Sequence, residues 1–443
     1  MKTSLISMTA AVMAATLSMA VADPEAIAPT AKTGSLEWSK GDYATGNWGG
    51  LRDRLAADGL TFFGYYTMDP AGNVTGGKRQ GATYVDDWYF GVTLDLDKLI
   101  GWTGGKFTVS GINRDGPSLT KGYVGSQFDV QQCYGGQNVF LYGVFLEQKL
   151  LDDKVILKVG RFSCSDDFNA SPLYGYAMNN AFNGDIRNVL FDTQFSAYPY
   201  STWAASLRVN PTPETYVQLG VFQNSDRQWD AHNNGLNWDI RNEDGVFAIG
   251  QVGWTPEFWK QAVPSAPDGK TAVEPVLKGL PGHYWIGGTI STWEYPQFGT
   301  VVKATNSYGF YVHADQMIYQ EAPGSDQGLT VWAASGFYPQ DNIAIMPFQV
   351  NGGLNYKGLF PGREDDHTML QVAYGRFSSN YADTVEAAGN GHPQYEMVVE
   401  TGHRFAVTKF AYFQPDVQWV INPSGTHRIQ NAIVLGAQVG VTF

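Results

Sequence analysis

Arg114 and Glu147 are the charged residues of this 443-residue chain best placed to hold a polar solute. Each lies at alternating positions with apolar neighbours, in the strand-like segments 105–114 and 138–149. A guanidinium and a carboxylate can both form paired, charge-assisted hydrogen bonds to polar groups. Four further charged residues alternate with apolar residues in the same way and are expected to face inward, namely Lys158, Arg208, Asp315 and Glu400. These side chains are predicted to line a channel wall, where each either contacts solute or is simply solvated.

The segments that position these charges alternate apolar and polar residues, as a strand with one apolar face does. The last segment shows this most clearly, since Ile433, Leu435, Val439, Val441 and Phe443 share one face. Sixteen such runs are predicted, at 60–68, 84–97, 105–114, 138–149, 154–163, 201–209, 215–224, 245–254, 282–293, 305–321, 328–338, 347–356, 368–378, 394–404, 409–420 and 431–443. An even number of antiparallel strands is typical of bacterial outer-membrane barrels, and sixteen enclose an aqueous channel.

The amino-terminal residues and the composition support an exported β-barrel. Residues 1–22 resemble a cleaved signal peptide, because Lys2 precedes an apolar run and Ala20-Val21-Ala22 suits cleavage. That run is too short to span a bilayer. Only 16% of residues are charged and 14% are aromatic, which fits a lipid-facing wall with aromatic girdles. We therefore predict an all-β fold, a 16-stranded antiparallel transmembrane β-barrel over residues 60–443, in the outer membrane of a Gram-negative bacterium.

Residues 23–59 are predicted to be a separate periplasmic segment with a short helix at 51–57. The sequence leaves open whether this segment rests on the periplasmic mouth or enters the lumen. The connection 255–281 is Pro-rich, and a short helix is expected at 256–262.

The loops add three expectations. Trp229, on the loop 225–244, is free to fold inward as a platform for a solute, whereas Trp203 has the parity of a membrane-girdle residue. The long loop 164–200 could narrow the pore. Arg161 is a further candidate, although its parity with Leu157 and Val159 points to lipid, so it must sit at the outer rim or follow a bulge.

Cys133 and Cys164 are predicted to form a disulfide. Both lie on the same side of the adjacent fourth and fifth strands, and an exported protein meets an oxidising environment.

Charge and motifs make other classes of protein poor fits. A formal net charge of −13 disfavours a nucleic-acid partner, and disfavours anionic solutes if the charge is concentrated in the lumen. Neither a His-x-x-x-His pair, a Gly-x-Ser-x-Gly elbow nor a Cys-x-x-Cys pair occurs. We expect no catalytic residues, no metal and no cofactor, and an outer-membrane barrel hydrolase remains the enzymatic alternative.

Several short motifs, in order along the chain, resemble the carbohydrate-selective porins of the OprB type. They are Trp48-Gly49-Gly50-Leu51-Arg52, Val159-Gly160-Arg161-Phe162, Gly358-Leu359-Phe360-Pro361-Gly362-Arg363 and Gln414-Pro415-Asp416-Val417-Gln418. The resemblance implies passive, selective diffusion of monosaccharides or polyols through a monomeric or homotrimeric barrel that contacts outer-membrane lipid and lipopolysaccharide. A nonspecific, weakly cation-leaning porin is the alternative. The constriction set is then Arg114, Glu147, Arg161, Arg208, Trp229, Asp315 and Glu400.

Overall fold

Antiparallel strands are the main elements of the fold. The computed structural model describes residues 40–263 and 276–443. Its strands are β1 Leu60–Gly77, β2 Gly81–Asp95, β3 Gly105–Asp115, β4 Val139–Leu150, β5 Val155–Phe162, β6 Thr202–Thr212, β7 Thr215–Asn224, β8 Gly245–Trp254, β9 Glu257–Val263, β10 Val276–Pro296, β11 Lys303–Gln320, β12 Gly328–Phe337, β13 Phe348–Lys357, β14 His367–Arg376, β15 Tyr395–Thr408, β16 Ala411–Ile421 and β17 Gln430–Thr442. Short helices are α1 Leu51–Ala57, α2 Leu96–Ile100, α3 Asn188–Asp192 and α4 Ser379–Ala387.

Sixteen of these strands close into one barrel, which confirms the predicted fold. Each barrel strand pairs with its neighbour in the chain, and β8 pairs with β10. The first and last strands then pair with each other, Tyr65 opposite Thr442. Closure leaves no free edge in the barrel wall, which is the condition for a sheet to cross a bilayer. Among the described residues, no helix has the length and apolar character needed to cross a membrane.

The wall follows the alternation read from the sequence. In β7, Val217, Leu219 and Val221 are exposed on the outer face, while Gln218 and Phe222 are buried inside. An outer face of exposed apolar side chains is typical of the lipid-facing surface of a transmembrane barrel.

The hydrophobic core lies inside the barrel, where two loops fold back into the lumen. Loop 2 (116–138) and loop 3 (163–201) carry buried aromatic residues that pack together and against the wall, including Phe128, Phe168, Phe182 and Phe195. Wall carboxylates hold the main chain of these loops. Glu396 accepts hydrogen bonds from the backbone N–H groups of Gln127, Phe128 and Ser424. The lumen is therefore narrowed on the side where loops 2 and 3 enter.

The other end of the barrel, the turn end, carries shorter connections. Leu151, Asp152 and Asp153 adopt left-handed conformations in the turn between β4 and β5. Between β2 and β3, the Asp95 carboxylate accepts hydrogen bonds from the N–H groups of Asp97 and Lys98. This cap starts α2, so the second strand ends two residues earlier than predicted.

The segment before β1 lies on the rim at the turn end. Ala44 N–H donates to the carbonyl of Thr442, and Asp95 N–H donates to the carbonyl of Gly59. The Arg52 guanidinium covers the Tyr43 ring at 3.8 Å. The structure places a helix at Leu51–Ala57, on the rim and not in the lumen. The expected signal peptide, 1–22, and residues 23–39 lie outside the described residues.

The expected helix at 256–262 is wrong. Residues 257–263 form β9, which pairs with the start of β10, Glu257 opposite Pro281. The Glu257 carboxylate accepts a hydrogen bond from Gly279 N–H at 3.0 Å, which strengthens this hairpin.

Candidate functional site

A cavity of about 610 Å³ lies between loops 2 and 3 and the inner faces of β2 to β5. Its lining combines charges of both signs with aromatic rings. The cationic side chains are Arg114, Lys158 and Arg187, and the carboxylates are Asp129, Glu147, Asp166, Asp167 and Asp185. The rings include Tyr89, Tyr134, Tyr142, Tyr198, Tyr200 and Trp229. Of the predicted constriction set, Arg114, Glu147 and Trp229 come together here.

Arg114 is fixed in the wall by several partners. It stands directly opposite Asp87 across β2 and β3, and its Nη2 lies 3.3 Å from Asp87 Oδ2. Nη1 donates to the carbonyl of Tyr134 at 3.2 Å, and the guanidinium covers the Tyr198 ring at 4.7 Å. The Tyr198 hydroxyl also donates to Asp87. Arg114 is only 4% exposed, so it borders the cavity as one half of a buried ion pair.

Glu147 and Lys158 face each other across β4 and β5. The Lys158 ammonium is 3.0 Å from Asp167 Oδ1 and lies over the Phe145 and Phe162 rings at 4.4 and 4.2 Å. Asp167 also accepts a hydrogen bond from Ser206. Lys158 is thus neutralised by loop 3, and Glu147 contributes a further carboxylate to the same wall.

Loop 3 supplies two carboxyl groups whose environments are unusual. The Tyr142 hydroxyl donates to Asp166, and burial raises the pKa of Asp166 to about 6. Burial also raises the pKa of Asp185 to about 6, although the nearby Arg187 opposes the shift. Desolvation disfavours the charged form of a carboxyl group, which explains both directions.

Trp229 reaches the cavity from loop 4 (225–244). Its indole Nε1 donates to Gln194 Oε1 at 2.6 Å, and its ring meets Tyr200 edge to face at 5.1 Å. Such a ring, held at its polar edge, can offer its face to the C–H groups of a solute. Trp203 instead contacts Trp238 of loop 4, at 5.5 Å, away from the cavity.

Arg161 and Glu400, two further members of the predicted constriction set, do not line this cavity. Arg161 donates to the carbonyls of Ser201 and Asn237 and so supports loop 4. Gly160 beside it has a φ of +143°, consistent with the expected irregularity in β5. Glu400 is fully buried and accepts hydrogen bonds from the N–H groups of Met178 and Asn179, which anchors loop 3.

Arg208 and Asp315 also lie outside this cavity, toward the turn end. Arg208 covers the Tyr216 ring at 4.0 Å and donates to Asn210. Asp315 is hydrogen-bonded to His313 Nε2 at 2.8 Å, and the Tyr174 hydroxyl meets His313 Nδ1 at 2.8 Å. Because Tyr174 belongs to loop 3, this chain of contacts positions the loop.

The predicted disulfide is wrong, since Cys133 and Cys164 are both free and buried. Cys133 N–H donates to Asp69, while Cys164 N–H donates to the Ser196 hydroxyl. Burial raises the pKa of each thiol well above its ordinary value. A protonated thiol is a poor nucleophile, so these sites disfavour thiol chemistry.

Strand parity did not find the site residues that loops 2 and 3 contribute. No strand alternation marks the loop residues Asp129, Asp166, Asp185 and Arg187. In the sequence, only the many aromatic and polar residues of loop 3 indicated a loop that narrows the pore.

A closed sixteen-stranded barrel with its lumen narrowed by inserted loops defines the class of the porins. The chain belongs to the carbohydrate-selective porin, OprB family, whose model matches residues 79–443. It is 26% identical to Porin B of Pseudomonas aeruginosa, over 95% of this chain and 93% of that protein. It is 24% identical to a putative porin, QuiX, of Acinetobacter baylyi, over 92% and 94% of the two chains.

The fold is also similar to that of a porin of known structure. The structure of Pseudomonas putida OprB at high pH matches 91% of this chain and 99% of its own, with a TM-score of 0.82 and 24% identity. The family makes this protein a channel for sugar diffusion, and its fold is that of an outer-membrane barrel.

Proposed function

We propose that the cavity is the constriction of this porin and that it passes monosaccharides or polyols by weak, reversible binding. The observation that carries the proposal is its mixed lining, in which charged groups and aromatic rings surround about 610 Å³. Charged groups hydrogen-bond to hydroxyls, and rings stack on C–H faces. A permeating solute must bind well enough to enter and weakly enough to leave.

The surroundings of the barrel form part of the proposal. We propose that residues 1–22 are removed on export and that the exposed apolar wall contacts outer-membrane lipid and lipopolysaccharide. Because one chain closes the whole pore wall, a monomer and a homotrimer would conduct through the same constriction.

Trp229 offers the sharpest test of sugar binding. In planar-bilayer recordings of the purified protein, glucose or sorbitol should reduce conductance in a saturable way. Trp229→Ala should raise the half-blocking concentration roughly fivefold, for a loss of about 1 kcal/mol of stacking. Trp203→Ala is the matched control, since this ring lies away from the cavity, and should leave the block unchanged.

The nonspecific, cation-leaning porin is the alternative, since carboxylates outnumber cations in the lining. Conductance that neither glucose nor sorbitol affects, with K⁺ favoured over Cl⁻, would replace selective diffusion with this alternative.

A further inference from the structure

The charges of the cavity do not balance once internal ion pairs are considered. Arg114 is paired with Asp87, and Lys158 is paired with Asp167. The remaining charged groups of the lining are Asp129, Glu147, Asp166 and Asp185, against Arg187. A solute in the cavity therefore meets an excess of negative charge, in a space where burial strengthens electrostatic interactions.

Asp185 is a buried carboxylate of the lining whose hydrogen-bonding capacity the described residues leave unfilled. It is 3% exposed, and its Oδ1 has no hydrogen-bond partner among the described residues. A buried polar group without a partner is costly, so a ligand that supplies a donor gains the corresponding free energy.

Two contacts hold the loop around Asp185 in place. The Asn183 side chain donates to the carbonyl of Ala177 at 2.7 Å. On the other side, Asn188 N–H donates to Gln349 of the wall at 2.7 Å. The carboxylate is thus presented by a braced segment, at the border of the cavity.

Arg187 compensates Asp185 only in part. Its Nε is buried without a hydrogen-bond partner, and its guanidinium lies 5.6 Å from the centre of the Phe191 ring. It also lies near Asp129, whose carboxylate accepts a hydrogen bond from Asn180. One guanidinium thus serves two carboxylates, and the described residues supply no ion pair within 4.0 Å for Asp185.

We propose, on the basis of the sugar-binding constriction proposed above, that this porin prefers amino sugars, which are polyhydroxylated solutes that carry an ammonium group. Asp185 accepts the hydrogen bond from that ammonium group. Neutral sugars bind through the same hydroxyl and ring contacts but leave Asp185 unpaired. Sugar acids are disfavoured, because they bring a second anion to an already negative cavity.

The experiment compares the half-blocking concentrations of four solutes at pH 7 in planar bilayers. Glucosamine is the cationic probe, glucose and N-acetylglucosamine are the neutral ones, and glucuronate is the anionic one. We expect the half-blocking concentration of glucosamine to be roughly tenfold lower than that of the neutral sugars. One hydrogen bond to a charged group contributes enough binding free energy for such a difference. Glucuronate should block least.

Asp185→Asn should remove the preference for glucosamine while glucose still blocks, and Asp185→Glu should retain it. Asp383→Asn, on the exposed helix α4, is the control and should not change the ranking. Heat-modifiable migration on gels checks that each variant is folded, and the wild-type ranking tests the preference even if Asp185→Asn misfolds.

Each outcome has one meaning. Equal block by glucosamine and N-acetylglucosamine overturns the ammonium preference but leaves the sugar pore. A preference that survives in folded Asp185→Asn overturns the role of Asp185. No block by any of the four solutes overturns the proposed function itself.

Discussion

At the scale of single residues, the charges around the cavity divide into those paired within the protein and those without an ion pair. Arg114 belongs to the first group, since it borders the cavity yet is bound to Asp87, Tyr134 and Tyr198. Glu147 and Asp185 also border the cavity, and the described residues supply no ion pair for either. Strand parity found Arg114, Glu147 and Lys158, because inward position is a local property of a strand. It could not separate them from Glu400, since which wall residues are covered depends on how a distant loop folds.

The Arg114–Asp87 pair should stabilise the barrel more than a rim pair does. Arg114→Met leaves Asp87 buried without its counter-ion, which costs about 3–5 kcal/mol, and adding Asp87→Asn should recover much of this loss. The measurement is the temperature at which the folded band disappears on a gel in detergent.

Lys303→Met is the matched control for Arg114→Met. Lys303 and Glu294 are 3.2 Å apart, with both side chains 59% exposed, and such exposed pairs contribute about 0–1 kcal/mol. An equal loss of stability in both variants would contradict the structural role of Arg114.

At the scale of elements, loop 3 lies inside the barrel and, with loop 2, narrows the lumen. Its aromatic residues form the core inside the barrel, and wall groups bind its main chain. The sequence predicted the sixteen strands within a few residues, apart from the far end of β1 and the extra hairpin of β9. The first strand is predicted to end at 68, just before the turn formers Pro70, Gly72 and Asn73. In the structure, pairing with β2 as far as Asn73 and with β17 as far as Gly77 keeps residues 69–77 extended.

Glu400→Ala should loosen loop 3. The Glu400 side chain accepts hydrogen bonds from the N–H groups of Met178 and Asn179, and a typical hydrogen bond contributes about 0.5–1.5 kcal/mol. We expect larger, noisier single-channel currents and weaker block by glucose.

Glu386→Ala changes a glutamate of α4, outside the barrel wall, and should leave single-channel currents as in the wild type. Unchanged currents and glucose block in Glu400→Ala would show that the remaining contacts suffice to hold loop 3.

At the scale of the whole molecule, a net charge of −13 does not by itself indicate where the charged groups lie. The structure places five carboxylates around one cavity, so part of the negative charge of the chain is concentrated in the pore. Closure between β1 and β17 was predictable, because an even set of amphipathic strands has few other solutions in a membrane.

Cation selectivity should depend on pH through the loop-3 carboxyl groups. Burial raises the pKa values of Asp166 and Asp185 to about 6, so both are mostly charged at pH 8 and mostly neutral at pH 5. The preference for K⁺ over Cl⁻, measured as a reversal potential in a KCl gradient, should therefore fall between pH 7 and pH 5.

Asp185→Asn should reduce that change, because one of the two titrating groups is lost. A K⁺ preference that is constant from pH 8 to pH 5 in the wild-type protein would contradict the placement of these groups beside the permeating ions.

The anchors of the inserted loops have a consequence for how such a channel can evolve. Glu396 and Glu400 accept hydrogen bonds from backbone N–H groups, which every residue except proline provides. Substitutions in loops 2 and 3 can therefore replace the side chains that face the solute while the loops stay attached to the wall. The solute preference of such a channel can therefore change through a few loop substitutions while the barrel stays the same.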